Sequence, residues 1–219
     1  MRKKQGRFED NRNNRNVIES GKEIFETIKG KWRSIFFRND NDIVLELACG
    51  RGEYSTGLGA VFKNRNYIGI DIKGGRIWIG SKKARLEGMD NVAFLRTKID
   101  QLDNFFEPGE INEIWIVFPD PRPKGSDEHR RLTSPKFLEL YKKLIKPGGI
   151  VQLKTDNTGL FEYTLDVLKS RNDILDLEYT WELYNSEFAK DHYGIKTKYE
   201  NHFAEQGYVI KYLKFRFAE

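Results

Sequence analysis

From residue 42 to residue 170 the chain alternates short apolar runs with helical stretches, and this alternation limits the fold more than any other feature. Strands read at 42–50, 66–72, 91–96, 113–118 and 150–156. Helices read at 53–63, 75–88, 134–146 and 158–170, with a short helix at 100–107. Strand–helix repetition of this kind builds a parallel sheet with helices on both faces. Two later strands, 175–184 and 208–217, have no full helix between them, so an antiparallel addition is expected. Residues 17–38 read as a helix and a looser segment, with Val17, Ile18, Ile24, Phe25, Ile28 and Trp32 near one face.

The fourth strand, Ile114-Trp115-Ile116-Val117-Phe118, runs straight into Pro119, Pro121 and Pro123. Proline fixes φ, lacks an N–H and restricts the residue before it. Phe118, Asp120 and Arg122 are therefore expected in extended conformations. The result is a stiff loop at the carboxyl end of a strand, where open α/β sheets place ligands. Asp120 stands inside it, with Arg122 and Lys124 just beyond. An ordinary proline-rich turn is the bland alternative; a carboxylate framed by prolines favours a substrate-fixing role.

Glu46-Leu47-Ala48-Cys49-Gly50-Arg51-Gly52 leaves the first strand and enters a helix. Gly50 and Gly52 let a ligand approach the backbone with no Cβ in the way. Asp71 ends the second strand, where a carboxylate can accept from both hydroxyls of a ribose. A dinucleotide site wants a third glycine where Ser55 stands, and pyrophosphate at the helix N-terminus. Glu46 puts a negative charge there instead. S-adenosylmethionine carries a sulfonium and an ammonium and no phosphate, so acids at 46, 71 and 120 suit it. The competing account of Glu46 is a charge that complements the dipole of the next helix.

Charge sharpens the reading. Among 219 residues, 38 are Lys or Arg and 33 Asp or Glu. Residues 1–38 hold 11 basic and 5 acidic side chains, which leaves the rest near neutral. A basic front on a neutral body is the footprint of a polyanion binder. Residues 1–16 can bury little and are expected to form a flexible basic arm, with 17–219 a single domain. The single cysteine, Cys49, rules out an internal disulfide. No apolar run reaches membrane-spanning length, so a cytoplasmic protein with no membrane partner is expected. Cys49, His192 and His202 lack metal-ligand spacing, so no metal is expected.

With both halves in view, the chain resembles the bacterial tRNA (guanine-N7-)-methyltransferase family over residues 1–217. The resemblance rests on Leu45-Glu46 through Gly52, Tyr67-Ile68-Gly69-Ile70-Asp71 and Phe118-Pro119-Asp120-Pro121-Arg122-Pro123-Lys124. It continues in His129-Arg130-Arg131-Leu132-Thr133, Thr155-Asp156 and Thr197-Lys198-Tyr199-Glu200, with Gln5-Gly6-Arg7 resembling the family's basic arm. It implies a Rossmann-like class I methyltransferase fold: a seven-stranded, mostly parallel α/β sheet with an antiparallel last strand. It implies methyl transfer from S-adenosylmethionine to N7 of a guanosine in the tRNA variable loop. By the same resemblance Glu46, Gly50, Gly52, Asp71 and Asp120 bind the cofactor, and Asp120 is catalytic. Lys124, Asp156, Thr197, Lys198, Tyr199 and Glu200 line the substrate side. Two departures stand out. The family's Asp-Ala pair after the third strand falls at Lys98 and Ile99, and Asp100 is the candidate substitute. Arg122 stands where the family often has Trp, although a guanidinium plane also stacks on bases.

Guanine N7 already carries a lone pair, so the expected chemistry is positioning. Asp120 would accept from guanine N1–H or N2–H, with Asp156 and Glu200 sharing that edge. Lys124, Arg130 and Arg131 would hold phosphates, assisted by Lys154 or Lys198. Trp115 and Trp181 read as core. Three rival readings compete: an amino-group base methyltransferase, an NAD-dependent oxidoreductase, and a non-catalytic RNA-binding module. Arg122 and Pro123 oppose the first, Glu46 and Ser55 the second, and the intact acid set the third. Monomer and homodimer both remain open.

Overall fold

The computed structural model describes residues 2–204 and 207–218. Its strands are β1 (Val17–Ile18), β2 (Asp42–Leu47), β3 (Arg65–Ile70), β4 (Val92–Leu95), β5 (Ile111–Val117), β6 (Ile145–Thr155), β7 (Ile174–Thr180) and β8 (Lys211–Phe217). Its helices are α1 (Arg2–Asn13), α2 (Glu23–Thr27), α3 (Glu53–Val61), α4 (Gly74–Leu86), α5 (Pro135–Leu144), α6 (Thr158–Lys169) and α7 (Lys198–Ala204). One sheet holds the strands in the order β1-β4-β3-β2-β5-β6-β8-β7. From β1 to β6 every pairing is parallel, and β8 runs antiparallel between β6 and β7.

Strand alternation with period two sorts the core into two layers. Ile43, Leu45 and Leu47 of β2 join Ile114 and Ile116 of β5 and Val151 and Leu153 of β6 in one layer. Val44 and Trp115 lie in the other, against Tyr54 and Leu58 of α3. The apolar stripe of α5 closes the first layer with Phe137, Leu138, Tyr141 and Leu144. Each such side chain contributes about 1.5–3 kcal/mol by leaving water.

Seven strands match the expected arrangement; β1 is an eighth and corrects the helix expected over 17–38. Val17 and Ile18 are completely buried at the β4 edge. There the N–H of Phe94 donates to Asn16 O and that of Arg96 to Ile18 O. A β-branched pair satisfies that edge better than a helix start would. Only the short α2 and a π-helical turn, Trp32–Phe37, follow it. The last two strands are also shorter than read: β7 stops at Thr180 and β8 begins at Lys211, and Trp181 is 41% exposed rather than core.

In place of the disordered arm expected from its composition, residues 2–13 form α1 along α4. The buried Asn11 side chain donates to Gly74 O at 2.9 Å, and Trp78 Nε1 donates to Asp10 Oδ2 at 2.8 Å. Arg7 lies 4.8 Å over the Trp78 ring. These contacts use polar and aromatic groups 60-odd positions downstream, a pairing that composition cannot display.

Strand order reverses between β2 and its neighbours β3 and β5. Ligands bind outside the carboxyl ends of the strands at such a switch point. The loops after β2 to β6 all open there and carry Asp71, Asp100, Asp120 and Asp156, with Glu46 near the end of β2 beside them.

Candidate active site

The loop after β2 is held in a left-handed conformation. Ala48 has φ +53°, Gly50 +56° and Gly52 +68°. Gly52 also packs so tightly that a Cβ there would lie 2.4 Å from the Phe94 ring. Asp71 pins this loop: its carboxylate accepts from the N–H of Gly50 at 2.9 Å and of Lys73 at 2.7 Å. A carboxylate has about four acceptor sites, so lone pairs remain for a ligand.

Glu46 takes a different part from the one expected. Its side chain is buried and caps α3, accepting from Ser55 N (2.7 Å), Ser55 Oγ (2.6 Å) and Tyr54 N (3.4 Å). Burial pushes its carboxyl up to about 8, against the pull of those hydrogen bonds. Glu46 therefore sits at the N-terminus of the next helix, as its competing account placed it, and acts there as a hydrogen-bonding cap. It also disposes of pyrophosphate, because the N–H groups such a ligand would use are already taken.

The Asp120 loop is strained where extended backbone was expected. Phe118 has φ +46° and Arg122 +47°. Contacts choose this conformation. Phe118 N–H donates to Lys154 O at 2.8 Å, continuing the β5–β6 ladder. Arg131 Nε grips Arg122 O at 3.2 Å, and the N–H of Arg122 donates to Asp120 Oδ1 at 3.3 Å. Such residues cost roughly 1–3 kcal/mol each and gather at functional sites. Asp120 itself is 62% exposed and pairs with Arg122 Nε at 3.1 Å.

Two cavities meet at this edge. The larger, about 600 Å³, brings Asp71, Asp100 and Asp120 together with Arg122 and Arg130. Its apolar walls are Ile72, Ile99, Leu132 and Phe137. Lys136 also lines it, 3.9 Å from Asp100. The smaller, about 320 Å³, is bordered by Glu46, Gly50, Phe118, Thr197, Lys198 and Tyr199. Ala48 is the residue common to both linings among the described residues. The Phe118 and Tyr199 rings lie 5.4 Å apart at the smaller cavity.

Gly52, Lys124, Arg131, Asp156 and Glu200 line neither cavity. Lys124 is exposed at the head of the turn Gly125–Arg130. Arg131 lies 4.2 Å over the Tyr163 ring. Asp156 accepts from the Tyr199 hydroxyl at 3.1 Å. Glu200 is a correction: its side chain is buried against Lys154 Nζ at 2.8 Å, out of reach of a guanine edge. Lys154 is corrected with it, being fully buried and unable to reach phosphate. Desolvation raises Glu200 and lowers Lys154, and their mutual attraction pulls each back. The walls Thr97, Leu132 and Phe137 carry no chemical signature that would mark them in the sequence, whereas Ile99 stands at the position of the family's Asp-Ala pair. Sequence reading also missed Ala48, where a side chain stands in glycine's conformation.

A switch-point cavity edged by acids, with the phosphate-binding helix end already capped, defines a class I methyltransferase that uses S-adenosylmethionine. Solved structures share the fold. The 16S rRNA methyltransferase KamB matches with a TM-score of 0.63 at 15% identity, covering 92% of this chain and 95% of that one. An antibiotic-related methyltransferase matches with a TM-score of 0.60 at 17% identity, covering 83% and 90%. A family model described as a putative methyltransferase matches residues 40–213. The tRNA (guanine-N(7)-)-methyltransferase of Cytophaga hutchinsonii is 48% identical over 217 residues, 99% of this chain and 98% of that one. The protein of that name from Christiangramia forsetii is 44% identical, covering 96% of each. The chain belongs to the tRNA (guanine-N(7)-)-methyltransferase family.

Proposed function

We propose that this protein transfers the methyl group of S-adenosylmethionine to N7 of a guanosine in the variable loop of tRNA. The observation that carries the reading is that Asp71, Asp100 and Asp120 share one cavity, which meets the Thr197–Tyr199 cavity at Ala48. The larger cavity fits the cofactor. Asp71 has acceptor capacity for a ribose diol, and Ile72, Ile99, Leu132 and Phe137 offer apolar walls to an adenine. Asp100 takes the place of the family's acid at the position of Lys98. When bound, the cofactor supplies a methyl on a positively charged sulfur, a strong leaving group.

The chain's part is positioning. Asp120 accepts from guanine N1–H or N2–H and turns N7 toward the cofactor cavity that Asp120 also lines. Phe118 and Tyr199 flank the base, with Asp156 holding the Tyr199 hydroxyl. Lys124, Arg130, Arg131 and Lys198 hold phosphates and fix the register of the RNA. The basic arm adds a sequence-independent grip. A tRNA substrate supports a cytoplasmic setting, and no described helix is long and apolar enough to cross a membrane.

Asp120→Ala tests the reading. Its ion pair is exposed, so stability should hardly move. S-adenosylhomocysteine affinity should stay close to wild type while turnover falls about 100-fold or more, the scale of a misplaced reactant. Turnover near the wild-type rate would overturn the orienting role.

A further inference from the structure

Lys154 sits near the end of β6, on the sheet face that also carries Glu46 and Trp115. Its ammonium has three N–H groups, and the surrounding acceptors come from three different segments. They are Tyr54 Oη of α3 at 3.0 Å, Tyr184 Oη at 3.1 Å and Glu200 Oε2 of α7 at 3.0 Å. No donor is left for RNA. The ammonium also lies 5.7 Å from the centre of the Phe118 ring, and the Lys154 carbonyl accepts the Phe118 N–H.

Glu200 carries the connection onward. Thr197 and Glu200 form a reciprocal capping box at the start of α7. Thr197 Oγ1 accepts from Glu200 N at 3.1 Å, and Glu200 Oε2 accepts from Thr197 N at 3.3 Å. Between them stand Lys198 and Tyr199, both on the smaller cavity. Phe118 and the segment 197–199, which both border that cavity, are thus tied to one buried ammonium. Tyr54 extends the tie to α3, whose first turn is capped by Glu46.

A buried ion pair adds little net stability over apolar side chains of the same shape, and its best-attested gain is a defined arrangement. We propose that Lys154 is a positioning residue for methyl transfer: through Glu200 and Phe118 it sets the spacing of the two loops that receive the guanine. The proposal rests on the tRNA methyltransferase reading above. It concerns the substrate side, since the residues the pair ties down, Phe118, Lys198 and Tyr199, border the smaller cavity and not the cofactor cavity.

The test uses Lys154→Met, Glu200→Gln, the neutral double variant and Lys154→Arg in the full chain. Three quantities are measured: S-adenosylhomocysteine affinity, kcat and KM for unmodified tRNA, and amide hydrogen exchange. Lys154→Met should lower kcat/KM for tRNA by at least about 30-fold, the scale of truncating one partner of a buried pair. Cofactor affinity should stay within roughly threefold, as for distant independent sites. The double variant should be no slower than Lys154→Met, and Lys154→Arg should recover part of the rate. Exchange should rise over 195–201 and stay unchanged over 48–52.

Should Lys154→Met fail to fold, the double variant, which leaves no unpaired charge, carries the same expectation of a selective tRNA defect. Wild-type-like kcat/KM in a folded variant lacking the lysine would overturn the proposal. So would parallel losses in cofactor affinity and tRNA turnover, which mark a general structural role. Failure of the wild type to methylate tRNA would remove the functional reading instead. The exchange pattern would still decide whether Lys154 holds the two loops.

Discussion

Asp71→Asn separates loop support from cofactor binding at the same side chain. In the native protein one carboxylate oxygen accepts from Gly50 N–H and the other from Lys73 N–H. An asparagine keeps one acceptor oxygen, so one of those N–H groups faces an amide nitrogen. A buried donor left without a partner costs about 1–3 kcal/mol. For a chain of this size that lowers Tm by about 2–4 °C per kcal/mol. The ligand loses more. A ribose diol would lose one acceptor outright and the charge assistance of the other, together about 2–4 kcal/mol. That is a rise of about 30- to 1000-fold in Kd. Titration calorimetry with S-adenosylhomocysteine, alongside thermal melts, reads both effects. A lowered Tm with Kd within about threefold of wild type would refute the ribose assignment and leave Asp71 as a loop support.

Three further outcomes are expected. Ala48→Gly should stabilise the fold by roughly 1 kcal/mol in denaturant titration, because glycine accepts φ +53° without a Cβ clash; an unchanged midpoint would show that Ala48 is unstrained. The Glu46 carboxyl is raised by burial from 4.5 to about 8, so the folded state holds a proton that the unfolded state releases. Stability should therefore fall as pH climbs between those values, and Glu46→Gln should flatten the decline when unfolding is measured at about pH 5 and about pH 8. Deleting residues 1–16 should weaken tRNA binding and reduce the slope of log K against log salt. An unchanged slope would exclude the arm from the phosphate contacts.

The parallel sheet and its switch point were legible because alternating apolar runs report burial directly. Glu46, Asp71 and Asp120 were legible as acids at strand ends, since each follows a run that can only be a strand. What stayed hidden depends on contacts between distant segments. Val17 and Ile18 look helical until β4 offers an open edge. Phe118 and Arg122 look extended from their prolines, yet Lys154 O and Arg131 hold them at positive φ. Lys154 and Glu200 read in sequence as phosphate and guanine contacts and prove to be each other's buried partner. A charge reveals its partner only once the sheet and α7 come together. Asp100 was legible only as a substitute for the acid that the family resemblance implies at Lys98, and the structure puts it on the cavity wall beside Lys98 and Ile99.

The central claim is that this cavity pair delivers a methyl group to one ring nitrogen of guanine. The direct measurement is incubation of the protein with unmodified tRNA and methyl-labelled S-adenosylmethionine, digestion to nucleosides, and chromatography of the label. The account predicts label in N7-methylguanosine, traced to a single guanosine of the variable loop by cleavage at that base. Label in a methylated adenosine or cytidine, or on an exocyclic amino group of guanine, would contradict it.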